Sequence, residues 1–358
     1  MPAPTRAPLP PRRTPRLAGT AAVAAVALAL AGAPAARADT SDARVAFVAG
    51  HVDDAWRRAS LEAWGEVAER AARDGVVAAA DAFASESDDP AGQAARIDAL
   101  VGDGYDAIVV NAAPAADALS RATLEAAVGR ACDAGTVVVS FAGLVAVPCA
   151  WRVSVDHRRM GREQVNRLAE RFPDGGNLLQ VRGPEGDLVD ERIDAGVSAA
   201  VEVRDGLDVV ASVRAAPTRE AAREAVAAVL PGLPPVIGVL AHGADGIGIA
   251  DAFEAAEREV PPIALGNRHA ELAWWAERAD ETGYETWSAA MAPGVSTLAF
   301  WVARRLLEGV PVPRDLTVGY LAVDAEGLDA ALRETERDGV LDRLYSAADA
   351  DRIVAEAD

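Results

Sequence analysis

Apolar residues in this chain gather in short unbroken runs rather than alternating with polar ones. Residues 45–49 (VAFVA), 76–80 (VVAAA), 107–110 (AIVV) and 137–141 (VVVSF) begin 31, 31 and 30 positions apart, with a helical pattern between each pair. Unbroken runs suit strands buried on both faces, so this half predicts a parallel sheet built from βαβ units. A second series at 178–181, 209–213, 236–240 and 263–265 begins 31, 27 and 27 positions apart. The architecture therefore repeats. Between runs, Trp56, Leu61, Trp64, Val67 and Ala71 share one helical face, with Asp53 or Asp54 as the cap and Gly75 as the stop. Asp89 followed by Pro90 marks the next helix start. No long low-complexity linker separates the two series, so two α/β lobes joined by short crossing segments are expected.

The first 38 residues follow a different rule. They carry five arginines and no acid, an Ala/Val/Leu run from Ala18 to Leu30, and the cleavage-like Ala36-Arg37-Ala38. This describes a secretory signal peptide, and Arg12-Arg13 leaves the twin-arginine route open. The chain is thus expected to be exported and soluble after cleavage near Asp39. Without that segment, 30 basic residues face 55 acidic ones, a net charge of −25. Such acidity argues against a nucleic-acid partner. Cys132 and Cys149 are the only cysteines, and in an exported protein they read as one disulfide; the alternative is two buried free thiols.

Ligands of open α/β sheets bind beyond the carboxyl ends of the strands. The loops after the runs place Asp54, Trp56, Asn111, Asp190, Arg192, Asp245 and Asn267 there. Carboxylates, amides, a guanidinium and an indole suit a hydroxylated ligand with apolar C–H faces. Each has a plainer reading: Asp54 and Asp190 as caps, Trp56 as core, Arg192 as the partner of a surface acid. Trp274-Trp275 reads as core. Enzyme signatures are missing: His51, His157, His242 and His269 lack metal-ligand spacing, and no nucleophile elbow or phosphate loop occurs. In GADGIGIADAF, Asp251 stands where a third dinucleotide-binding glycine belongs, and Asp245 would repel a pyrophosphate. No cofactor and no metal are expected.

In order and spacing, the segments VAFVAGHVDDAW, VSVDHRRMG, VRGPEGDLVDERIDAGV, GVLAHGADGIGIADAFEAA and ALGNRHAEL resemble the periplasmic sugar-binding proteins of ABC importers, the ribose-binding-like type I group. The resemblance implies two Rossmann-like lobes with parallel sheets joined by a three-segment hinge. Residues 39–153 plus 292–316 would form the N-terminal lobe, and 154–291 plus 317–358 the C-terminal lobe. It implies a monomer that binds a small carbohydrate or polyol and delivers it to a membrane permease. Asp54 and Trp56 would supply a hydrogen bond and a stacking face, Asp190 and Arg192 a clamp, and Asp245 and Asn267 hydroxyl contacts. Asp156 would touch hinge and ligand, and Ser288 would stand near the second crossing. Three departures are visible: Phe141-Ala142 replaces a polar residue after the fourth run, Arg192 lies four rather than three positions before Gly196, and no glutamine occurs near Trp287 and Met291. A receptor handing its closed form to a chemoreceptor or sensor kinase would share the fold. An exported hydrolase is the rival of another class.

Overall fold

The computed structural model describes residues 38–357 except 53, 86–88, 116 and 244, so the expected signal segment and the alternative cap Asp53 lie outside the described residues, Ala38 apart. Five of the strands before residue 160 are β1 (Arg44–His51), β2 (Ala79–Ser85), β3 (Ala107–Val110), β4 (Val137–Phe141) and β5 (Trp151–Val155). With β11 (Asp315–Val318) they form one six-stranded sheet in the order β11-β5-β4-β3-β1-β2. Every pairing in it is parallel. Helices α1 (Ala55–Arg73), α2 (Pro90–Gly102), α3 (Ala118–Asp133) and α9 (Val295–Leu307) cover its faces. The repeated runs are its buried strands. The second run starts late: Gly75 at φ 69° and Val76 close the end of α1 through bonds to Ala72 and Ala71, so pairing begins only at Ala79.

The second sheet repeats this plan. β6 (Gly176–Arg182), β7 (Leu207–Arg214) and β8 (Val236–Ala241) pair in parallel in the order β7-β6-β8. β9 (Ala264–Leu265) pairs in parallel with β10 (Trp287–Ala290), which pairs antiparallel with β12 (Leu321–Val323). A bridge between Val239 and Ile263 ties the two three-stranded pieces together. Its helices are α4 (His157–Arg171), α5 (Leu188–Glu202), α6 (Arg219–Val229), α7 (Gly246–Ala255), α8 (His269–Thr282) and α10 (Leu328–Glu334). Helices α4 and α5 approach backbone to backbone. A side-chain carbon at Gly196 would fall 2.0 Å from the Arg158 carbonyl oxygen, and one at Gly161 2.1 Å from that of Ile193.

Three segments connect the lobes: β5 to α4, β10 to α9, and β11 to β12. The first falls at Val155, two residues beyond the expected boundary, because β5 continues the first sheet to that point. The C-terminal stretch also departs from expectation. β12 and α10 join the second lobe, but α11 (Ala347–Ala357) packs Ala350, Ile353 and Val354 into the first core. These apolar positions are spaced three to four apart, and the first lobe presents the matching surface of α9. Cys132 and Cys149 form a disulfide that ties the end of α3 to the approach to β5. Among the described residues no helix is long and apolar enough to cross a membrane.

Candidate functional site

Both sheets direct the carboxyl ends of their strands into the same gap, where a cavity of about 400 Å³ opens. On the first side Asp54 caps α1 by accepting from the Arg57 N–H at 2.9 Å, which fixes Trp56 and Arg57 in the first turn. Trp56 lines the cavity, and its indole N–H donates to the Met291 carbonyl at 2.7 Å, pinning it to a crossing segment. Asn111 follows β3 and lines the cavity beside it. On the second side the loop after β6 brings Asp187, the loop after β8 brings His242, and the loop after β9 brings Asn267 and Arg268. His157, Met160 and Gln164 lie on one face of α4 and form the wall nearest the hinge.

Four of the nine expected ligand residues, Asp54, Trp56, Asn111 and Asn267, therefore meet at one cavity. Asn267 is already engaged: its amide donates to the Leu321 carbonyl at 3.0 Å and its oxygen accepts from the Ser288 hydroxyl at 2.7 Å. Ser288 lies one layer behind the wall, fully buried. Asp156 does not line the cavity. It caps α4 through the Arg159 N–H at 2.9 Å, with a side chain 44% exposed on the outer surface. Asp245 likewise sits off the wall, capping α7 through the Gly248 N–H at 2.9 Å. Both corrections have one cause. The opening N–H groups of a helix lack intrahelical partners, and an aspartate just before them satisfies these first.

Asp190 and Arg192 depart for other reasons. Asp190 is buried beneath the loop after β6, where it accepts from Arg182 at 2.7 Å, Arg214 at 2.9 Å and the Gly183 N–H at 3.0 Å. His242 Nδ1 stands 2.8 Å from its other oxygen. Burial alone would raise its pKa, but the His242 and Arg182 bonds outweigh that and hold it well below the ordinary carboxylate range. It organises the loop rather than facing a ligand. Arg192, on α5, lies behind the wall where its charge acts on His157 and Asp315.

Spacing alone did not single out six polar wall residues: Arg57, His157, Gln164, Asp187, His242 and Arg268. All but Gln164, which lies within α4, adjoin or lie within a few positions of a residue that was singled out, so the signal pointed to the right loops. Burial, then neighbouring Asp190, raise the Asp187 pKa against the opposing pull of Arg57 across the gap. Arg268 is raised despite burial by Glu271, Asp245 and, from the other lobe, Asp54. Carboxylate and guanidinium thus alternate across the cleft in two opposed pairs. His157 is 4% exposed, and burial followed by the charge of Arg192 depresses its pKa to about 4 against the pull of Asp156, so it is neutral at pH 7. At the rim the lobes touch. Arg121 donates to the Gly186 carbonyl at 2.9 Å and lies 3.5 Å from Glu191. Gly186 has φ 81°, and a side-chain carbon there would fall 1.8 Å from the Ala115 carbonyl oxygen. Among the described residues no group of three or more His, Cys, Asp or Glu is placed to hold a metal ion.

A cleft between two similar parallel sheets, reached by loops from both, defines a bilobal binding protein. The chain belongs to the periplasmic binding protein family: residues 45–311 match the model described as periplasmic binding protein domain. No curated protein matches it. Among solved structures it is similar to an ABC transporter solute-binding protein from Thermobispora bispora, at 23% identity and a TM-score of 0.77, over 88% of this chain and 96% of that one. It is also similar to a solute-binding protein from Bacillus halodurans with bound myo-inositol, at 20% identity and TM-score 0.70, over 83% and 100% of the two chains. A third, from Actinobacillus succinogenes with bound D-allose, shares 17% identity and a TM-score of 0.65 over 81% and 100%. At these identities the likeness shows the fold.

Proposed function

We propose that this protein is an exported carrier that closes its two lobes on a small, neutral, hydroxylated molecule and presents the closed form to the permease of an ABC importer. The observation that carries the reading is the cavity itself: about 400 Å³, bounded by loops of both sheets, with an indole, an amide and opposed charged pairs on its walls. A ligand that touches both walls binds the closed form better than the open one, and that difference drives closure. Complexes of similar structures with myo-inositol and D-allose support the ligand class. The disulfide fits an oxidising compartment. The carrier works as a monomer without cofactor, metal or nucleic acid, and it binds rather than transforms its ligand.

Titration calorimetry of the purified protein against a sugar and polyol panel tests the reading. One or more members should bind at micromolar or tighter affinity, and Trp56→Ala should weaken that binding at least ten-fold by removing the stacking face. A panel without a single binder, or a binder indifferent to Trp56→Ala, would refute it.

A further inference from the structure

The inference concerns the class of ligand and rests on the cleft being a binding site. Few polar groups on its walls have hydrogen-bonding capacity to offer. Gln164 is closed at both ends on the backbone of Ala241, at 3.0 and 3.1 Å. Asn267 is held by Leu321 and Ser288, and His242 is aimed at Asp190. One oxygen each of Asp54 and Asp187 is committed to a helix cap. After β4 the wall is bare. Ala142 lines it at φ 52°, and Gly143 packs so closely that a side-chain carbon would fall 2.0 Å from the Ala112 carbonyl oxygen. What the loops still offer a ligand is the Asn111 amide, the second oxygen of Asp187 and the second oxygen of Asp54, which lies 3.5 Å from Arg57 Nε; Arg268 already donates to Glu271 and to the Gly243 carbonyl.

The opposite wall is mostly apolar, with the buried Nδ1 of His157 standing among its carbons without a hydrogen-bond partner among the described residues. Met160 faces the cavity from α4, Val189 and Ile193 from one face of α5, and Trp287 and Met291 from the second crossing. A free hexose enclosed there would turn several hydroxyls toward carbon, and each buried hydroxyl without a partner costs about 1–3 kcal/mol. Charge narrows the class further. Two carboxylates stand against two guanidiniums on the walls, and His157 is neutral, so neither sign of ionic ligand meets an unopposed pair of like charges.

We propose that the ligand is an uncharged hydroxylated ring carrying an apolar substituent, an alkyl or aryl glycoside, with its hydroxyl edge on Asp54, Asn111 and Asp187 and its substituent against Met160 and Ile193. Burying the substituent removes apolar area from water and leaves no hydroxyl facing that wall.

Titration calorimetry with paired probes tests this: D-glucose, D-galactose, D-allose and D-ribose against their methyl and phenyl glycosides, with myo-inositol as an unsubstituted polyol. The expected result is a glycoside bound at least ten-fold more tightly than its parent sugar, with a more negative heat-capacity change. Met160→Gln, which keeps the side-chain length, should shrink that ratio at least three-fold. If a free sugar or myo-inositol binds as tightly as any glycoside, this inference falls and the carrier reading stands. If the ratio is unmoved in Met160→Gln, the placement of the substituent falls, and with it the inference. If no probe binds, both fall.

Discussion

The two lobes share a strand order but hold their loops in different ways. Beneath the cleft the first lobe is a stack of rings: Phe47 lies 5.1 Å from Trp64 and 5.4 Å from Phe141, and Trp64 meets Phe300 edge-on at 5.4 Å. In the same layer the second lobe has charges. Asp190 joins Arg182, Arg214 and His242, and the fully buried Glu271 accepts from the Gly246 and Gly266 N–H groups and from Arg268. The difference teaches how to read acids near a ligand site. In the first lobe, where packing holds the loops, the one acid on the wall among the described residues, Asp54, keeps its second oxygen outside the helix cap, 3.5 Å from Arg57 Nε at the cavity. In the second, Asp190 and Glu271 are structural members whose removal would collapse the loops that carry the wall.

The sharpest way to break that comparison is Asp190→Ala. Removing one partner of a buried ionic cluster typically costs about 3–5 kcal/mol, because the remaining charges stay desolvated. Phe141→Ala in the first lobe should cost a similar amount, about 3–5 kcal/mol, by leaving a cavity. Denaturant unfolding at several pH values separates the two. The folded-state pKa of Asp190 is depressed, so its stabilisation is complete above the ordinary carboxylate range and is lost as pH falls below about 4. The penalty of Asp190→Ala should therefore shrink in acid, whereas that of Phe141→Ala should hold. Equal pH dependence of the two would remove the distinction between lobes.

His157 sits where the lobes join, and it gives a second pH test. An unfolded histidine titrates near 6.5, but this one titrates near 4 because burial, then Arg192, disfavour the charged form while Asp156 opposes them only in part. The sign is that stability is full above pH 6.5 and falls as the unfolded chain takes up a proton the folded one refuses. The loss should level off below about pH 4 at roughly 3 kcal/mol. His157→Gln should remove this slope between pH 6.5 and 4. If the slope persists in the variant, another group causes it.

Most of the fold was legible because strands buried on both faces leave unbroken apolar runs. The runs at 107–110 and 137–141 coincide with β3 and β4 to the residue. The short strands near the crossings were harder. β9 has two residues, β11 alternates exposed and buried positions, and β12 has three residues, so none leaves a long run. The site was legible as a set of loops but not residue by residue. Asp54, Asp156 and Asp245 all stand just before a helix, and the same side chain there serves as a cap or as a ligand contact. Only the direction of the helix relative to the cleft separates the roles, and for Asp190 only the arrival of His242 and Arg214 from distant strands reveals its use.

The disulfide gives the first lobe a further support with no counterpart in the second. It closes a loop of 17 residues, worth about 3 kcal/mol if it acts through the unfolded chain. Reduction, or Cys132→Ser with Cys149→Ser, should lower stability by about that much and leave ligand affinity unchanged, since both cysteines lie off the cavity. A change in affinity would show that the approach to β5 is coupled to the cleft.

Asp245→Ala carries the smallest effect and bears most directly on how acids before helices are assigned. As the cap of α7 it holds one N–H, that of Gly248, and its loss should cost about 1 kcal/mol of stability. Asp54 has the same local role on α1 but also lines the cavity. Replacing each with serine, which can still cap a helix, keeps most of the stability and removes only the charge. Calorimetry should then show ligand affinity reduced several-fold in Asp54→Ser and unchanged in Asp245→Ser. The reverse order would mean that the loop after β8 turns inward when ligand binds, bringing Asp245 to the wall from its place at the cap, and the division of labour between the lobes would have to be redrawn.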